Sequence, residues 1–203
     1  SKAADRPVPR PVQQKPHTPV FEEPKQVANP DRQIPPGLEK AIEDYWRAFP
    51  GKTGVAIKRI DGNWTVGKRL DDLFPQQSVS KSWVALTVLD QVDQGRLRLD
   101  QLVHIGPEDL TLFHQPIRAR VLKNGGIDVS IRELLELSVT TSDCTANDSL
   151  ARAAGGPQAV RDFIARKGLG AIRFGPGERL LQSGIAGMEW RQEYSRGNAF
   201  EAA

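Results

Sequence analysis

Ser78-Val79-Ser80-Lys81 sets a hydroxyl and an amine three residues apart at the head of an apolar run that reaches Val92. Residues three apart share a helix face, so the Lys81 amine falls on the face of Ser78. A helix start offers free N–H groups and the positive end of the dipole, which favour a developing alkoxide or oxyanion. A desolvated lysine can take the serine proton, because burial lowers an amine's pKa. The chemistry would be nucleophilic attack by a lysine-activated serine hydroxyl. Composition alone produces about one Ser-x-x-Lys per 200 residues, and a capped helix with a surface lysine reads the same way.

A second constellation is Ser142-Asp143-Cys144, which follows a helical run ending near Val139-Thr140-Thr141 and precedes another helix. A loop between two helices can push a hydroxyl into a cleft. Ser and Asp are also preferred helix caps, so both readings stand for this motif in isolation.

These groups need elements to hold them. Nine of the 15 prolines fall in residues 1–36, and proline removes a backbone donor and fixes φ. That stretch reads as an extended, disordered arm, a spacer, a partner-docking strip or a plain linker, with a domain over residues 37–203. Leu38, Ala41, Ile42, Tyr45 and Phe49 then recur at helical steps. Gly54–Ile60 and Trp64–Gly67 read as two strands about an Asp61-Gly62-Asn63 turn. The rest reads mainly as helices: Ser80–Val92, one opened by the capping box Ser130-Ile131-Arg132-Glu133, about Thr145–Ala154, and about Pro157–Lys167 after the Gly155-Gly156 break. Two strands make no stable sheet alone, so either the hairpin packs on helices or its partner strands are missing.

Composition narrows the function. The 203 residues are 38% hydrophobic and 26% charged, enough for a real core, with a net charge of +3. No apolar run nears the roughly 18 residues that cross a bilayer. One cysteine excludes an internal disulfide framework, and three scattered histidines give no metal-ligand spacing. No block of about five like charges and no zinc-finger signature points to nucleic acid. The N-terminal residues are too polar for a secretory signal.

Taken together, Ser78-Val79-Ser80-Lys81, Ser142-Asp143-Cys144 and Gly155-Gly156-Pro157, in this order and spacing, resemble class A β-lactamases within the penicillin-recognising serine hydrolases. Val129-Ser130-Ile131-Arg132-Glu133-Leu134-Leu135 resembles the segment before their Ser-Asp-Asn loop, and the likeness runs from about Leu38 to Ala203. It implies an α+β fold: a helical subdomain plus an antiparallel sheet whose later strands are not in this chain. It implies Ser78 as acylated nucleophile, Lys81 as its proton partner, and Ser142 as relay toward the lactam nitrogen. Phe113 falls where the family has an aromatic residue at the cleft mouth, a place that also suits a core Phe.

Deacylation needs a carboxylate that activates water. The family interval places it at Glu178, in Gly175-Pro176-Gly177-Glu178-Arg179-Leu180-Leu181-Gln182, which resembles the omega loop. Glu193, in Arg191-Gln192-Glu193, is the rival. Gln182 stands for the Asn that helps hold the water, and Pro176 for an Arg that clasps the loop. Cys144 replaces the Asn of Ser-Asp-Asn in the substrate cleft, a place that also suits a small packing residue. A thiol is a weak donor and acceptor, and losing one transition-state hydrogen bond costs about 1–3 kcal/mol, or roughly 5- to 150-fold in rate.

No Lys-Thr-Gly follows Ser142; the one present, Lys52-Thr53-Gly54, precedes the nucleophile. The chain therefore reads as a fragment or as one piece of an assembly in which a second chain supplies the remaining strands. Its closing residues, Gly197–Ala203, read as the start of a helix. The implied function is hydrolysis of a β-lactam amide without metal or cofactor, in a periplasmic or secreted setting. The alternatives are a DD-peptidase-like or other acyl hydrolase acting on cell-wall peptides, and a non-catalytic binding or scaffold protein.

Overall fold

The structure, a computed structural model, describes residues 33–185 and Gly187. Residues 1–32 of the expected arm, Glu193 and the expected helix start at 197–203 lie outside the described residues. The described residues fall into two compact units, one up to Phe74 and one from Pro75.

The first unit is a helix and a hairpin. Helix α1 spans Leu38–Ala48, and strands β1 (Val55–Lys58) and β2 (Thr65–Lys68) pair antiparallel with Val55 opposite Lys68. The hairpin packs on α1. Ile42 from the helix and Val66 from β2 are its buried side chains, and Trp46 donates its indole N–H to the Thr53 carbonyl at 3.1 Å. Gly67 is required by close approach: a Cβ there would lie 1.9 Å from the Val55 carbonyl oxygen. The expected first strand is shortened. It leaves the ladder at Lys58 because the Arg59 guanidinium turns onto Asp61, 2.6 Å away, and the Gly62 N–H bonds the Arg59 carbonyl.

The second unit is mainly helical. A 3-10 turn over Gln77–Val79 runs directly into α2 (Ser80–Asp93). Then come β3 (Leu102–Ile105), α3 (Arg118–Asn124), β4 (Ile127–Ser130), α4 (Ile131–Thr140), α5 (Cys144–Ala153), α6 (Gly156–Arg166) and α7 (Glu178–Ile185). Strands β3 and β4 form a second antiparallel pair, Leu102 opposite Ser130 and Ile105 opposite Ile127. The sequence reading missed this pair. No tight turn joins these strands as Asp61-Gly62-Asn63 joins β1 to β2, and four residues alone are too short for periodicity to separate a strand from a loop. The reading also made Glu178 part of a loop, whereas it opens α7.

Local chemistry explains the boundaries. Ser130 Oγ accepts from the Glu133 N–H at 3.2 Å and caps α4, as the motif predicts. The reciprocal half of the box is absent, because the Glu133 carboxylate pairs with Arg120 instead. Gly155 and Gly156 have φ of +104° and +84°, a left-handed pair that only glycine adopts freely, and they separate α5 from α6. Val84 and Val88 of α2, Ile105, Leu110, Ile117, Val121, Val129, Ile131, Leu134, Leu150 and Val160 form the core.

Helix α5 runs through the middle of this unit, packed against α2, α4, α6 and α7. Seven of its ten residues are buried, including Thr145, Asn147 and Ser149. Its N-cap Asp143 is fully buried and ties two elements together: one carboxylate oxygen accepts from Ala146 N–H at 2.8 Å, the other from Ile117 N–H at 2.7 Å. Replacing Asp143 with Ala removes the cap and orphans a buried amide. The expected loss is about 2–4 kcal/mol of unfolding free energy, read from urea denaturation midpoints at constant slope.

Candidate active site

The 3-10 turn that carries Ser78 begins at Gln77, whose φ is +49°. Non-glycine residues rarely adopt that region, at a cost of order 1–3 kcal/mol, so packing holds this kink in place. The kink leaves Ser78 exposed at the head of α2 while Lys81, one turn later, is buried. Ser142 lies in a second left-handed kink, φ +58°, between α4 and α5. The two turns bring Ser78 Oγ and Ser142 Oγ to 2.9 Å.

Behind Ser78 lies a dry ion pair. Lys81 Nζ is 2.8 Å from Glu178 Oε1 and donates to Ser78 Oγ at 3.4 Å. The two residues expose only 4% and 5% of their surfaces, so their attraction is little screened. Glu178 Oε1 also accepts from Asn147 Nδ2 at 3.1 Å, and Oε2 from Gln182 Nε2 at 2.9 Å. Ser138 Oγ donates to Asn147 Oδ1 at 3.3 Å, which fixes the orientation of that amide.

Glu178 is held by its backbone as well. Its N–H donates to Asp148 Oδ1 at 2.7 Å, and the Arg179 N–H donates to Asp148 Oδ2 at 3.4 Å. A side chain of α5 thus satisfies the first amides of α7, which have no partner within their own helix. The Arg179 guanidinium lies 3.8 Å from Asp109 and donates to the Glu108 carbonyl at 2.9 Å. These contacts clasp the segment in which Pro176 leaves no arginine for the purpose.

All seven candidate residues, Ser78, Lys81, Phe113, Ser142, Cys144, Glu178 and Gln182, line one cleft of about 150 Å³, together with Gln77, His114, Leu181 and Ile185. Phe113 is half-buried there. Cys144 is buried, with its N–H on the His114 carbonyl at 2.9 Å and its Sγ 3.7 Å from the Ser142 carbonyl oxygen. Burial pushes its thiol up to about 11, the Glu178 charge adding to the rise and the Lys81 charge opposing it. Among the described residues no group of three His, Cys, Asp or Glu is placed to hold a metal ion, and no helix is long and apolar enough to cross a membrane.

Two contributors escaped the sequence reading, Asn147 and Asp148. The available signal was their spacing: three and four residues after Cys144, they share its helix face. What the arrangement offers chemically is a continuous path, Ser142–Ser78–Lys81–Glu178, along which a proton can leave or return to a serine hydroxyl.

A model of the beta-lactamase enzyme family matches residues 36–200. The chain belongs to the beta-lactamase enzyme family. Beta-lactamase L2 of Stenotrophomonas maltophilia is 35% identical over 127 residues, 63% of this chain and 38% of that protein. The extended-spectrum beta-lactamase PER-1 of Pseudomonas aeruginosa is 37% identical over 66% of this chain and 44% of its own length. Among solved structures, a β-lactamase from Chitinophaga pinensis aligns with a TM-score of 0.66 at 32% identity, covering 77% of this chain and 56% of that one. An ancestral class A β-lactamase aligns with a TM-score of 0.63 at 32% identity, covering 70% and 54%. These neighbours bear out the expected class A likeness and α+β fold. The chain spans 38% and 44% of the two curated β-lactamases.

With its pKa near 11 against an ordinary 9.0, Cys144 holds about 100-fold less thiolate at pH 8 than a free thiol. Its alkylation by iodoacetamide, followed by mass, is slower than that of a free thiol by at least this factor. Burial also raises the Asp148 carboxyl above the aspartate range, with the Glu178 charge adding and the Glu178 and Arg179 amides opposing. Its contribution to stability is therefore greatest below the unfolded value of about 3.9 and is lost as pH rises through the folded one. Asp148→Asn removes this titration, so its stability in urea falls less than that of the wild type between about pH 4 and 7.

Proposed function

We propose that Ser78 is the nucleophile of a serine hydrolase that opens β-lactams through an acyl-enzyme. The reading rests chiefly on one observation: Ser78 Oγ lies between Ser142 Oγ and Lys81 Nζ, with Lys81 in turn against the buried Glu178. In acylation, Ser78 Oγ attacks the lactam carbonyl carbon and its proton passes to the Lys81–Glu178 pair. The Ser78 backbone N–H, at the head of α2, meets the developing oxyanion. The carbon–nitrogen bond breaks, and the nitrogen takes a proton delivered through Ser142. In deacylation, Glu178 takes a proton from the attacking water as the ester to Ser78 is cleaved. Phe113 flanks the cleft mouth, Cys144 lies on the substrate's path, and the setting is periplasmic or secreted, where lactams are met.

Cys144 favours a second reading. Its thiol supplies neither the donor nor the acceptor of an Asn amide. A substrate with other demands on that position, a cell-wall peptide or another ester or amide, is the alternative.

The test is intact-mass spectrometry of the full-length protein mixed with a penicillin. The wild type gains one penicillin mass and then loses it; Ser78→Ala gains nothing. Glu178→Gln keeps the adduct, with hydrolysis slowed about 10²- to 10⁴-fold. No adduct with any lactam overturns this reading and moves the assignment to the cell-wall or binding alternative.

A further inference from the structure

Gln182 is 98% buried, and the protein claims nearly all of its hydrogen-bonding capacity. Oε1 accepts two backbone N–H groups from the far side of the cleft, Leu112 at 3.0 Å and Phe113 at 3.1 Å. An amide oxygen has two lone pairs, so it has none left for a water. Nε2 donates to Glu178 Oε2 at 2.9 Å. Glu178 is nearly as full. Lys81 and Asn147 take both lone pairs of Oε1, and Gln182 takes one of Oε2. One acceptor site remains on the carboxylate.

We propose that Gln182 is a strap between the Leu112–Phe113 segment and Glu178, not a ligand of the attacking water, and that it makes hydrolysis of the acyl-enzyme the slow step. This rests on the reading that Ser78 is acylated. In that step the water oxygen bonds to the acyl carbon while one water proton passes to Glu178 Oε2. The carbon–Oγ bond then breaks and Ser78 Oγ takes that proton, which restores the carboxylate and releases the acid. A water in this chemistry is oriented by the acceptors its hydrogens meet, and Gln182 and Glu178 together offer it one. Gln182 is therefore a positioning residue: it sets where the Phe113 segment and the Glu178 carboxylate lie, and how much of Glu178 is left for water.

The experiment compares full-length wild type, Gln182→Asn and Gln182→Met, with two readouts. The first is amide hydrogen exchange at Leu112 and Phe113, measured without any ligand. The second is the rate of penicillin-adduct formation against the rate of its loss, by intact mass. The Asn side chain is one methylene too short to span both partners, and Met keeps the length but makes none of the bonds. Both variants exchange the two amides at least about 10-fold faster than wild type. Gln182→Asn frees a lone pair on Glu178 and raises adduct loss at least about 10-fold relative to adduct formation. Unchanged exchange in both variants overturns the strap. Accelerated exchange with an unchanged ratio of loss to formation overturns its control of hydrolysis. If no protein forms an adduct, the acyl-enzyme reading falls and the claim about hydrolysis falls with it, while exchange still decides the strap.

Discussion

The buried ion pair between Lys81 and Glu178 is the constraint around which the second unit is arranged. Two charges with almost no water contact are tolerated only if they pair and their remaining lone pairs are filled. Lys81 comes from the second residue of α2 and Glu178 from the first of α7, so the pair fixes those two helix starts against each other. The carboxylate then demands donors on both sides, which Asn147 and Gln182 supply. This explains a helix as poor in hydrophobic residues as α5 at the centre of the unit. Small residues let its neighbours approach, and its polar residues are committed to the groups they face.

The same economy recurs in the loops. Asp143 joins the start of α5 to Ile117, and Asp148 of α5 caps the start of α7. Both carboxyls are raised above the usual aspartate range, chiefly by burial, although backbone amides donate to each. Buried carboxylates held by backbone donors act as fixed joints between elements that share little apolar surface. The kinks at Gln77 and Ser142 are further consequences. Each is a local strain held by surrounding packing, and together they put two hydroxyls within hydrogen-bond distance at the mouth of a dry site.

Cys144 and Gln182 line the same cleft. A position that holds an Asn in the Ser-Asp-Asn motif holds a buried thiol here, and the neighbouring amide is longer by a methylene. The longer amide reaches the Leu112 and Phe113 backbone across the cleft. With both departures in place the ion pair stays buried, and the Gln182 carbonyl oxygen is turned wholly onto the protein.

The sequence by itself determined the helices with strong local signals: α1 and α4 by apolar spacing, α4 by the Ser130 cap, and the α5–α6 break by two adjacent glycines. It determined the first hairpin to within a few residues, and it marked the seven side chains that line the cleft through motif order and resemblance. What it could not carry were β3 and β4, each only four residues long and stable only in each other's company. Nor could it carry the helical state of Glu178, whose segment begins Gly-Pro-Gly and whose first amides are capped by Asp148 from 30 residues upstream. Asn147, Asp148 and the span of Gln182 were decided by tertiary structure alone. Periodicity and caps act between neighbours in the chain and are written in local sequence. A hydrogen bond such as Gln182 to Leu112, 70 residues apart, depends on which two surfaces the fold brings together, and no local pattern encodes that distance.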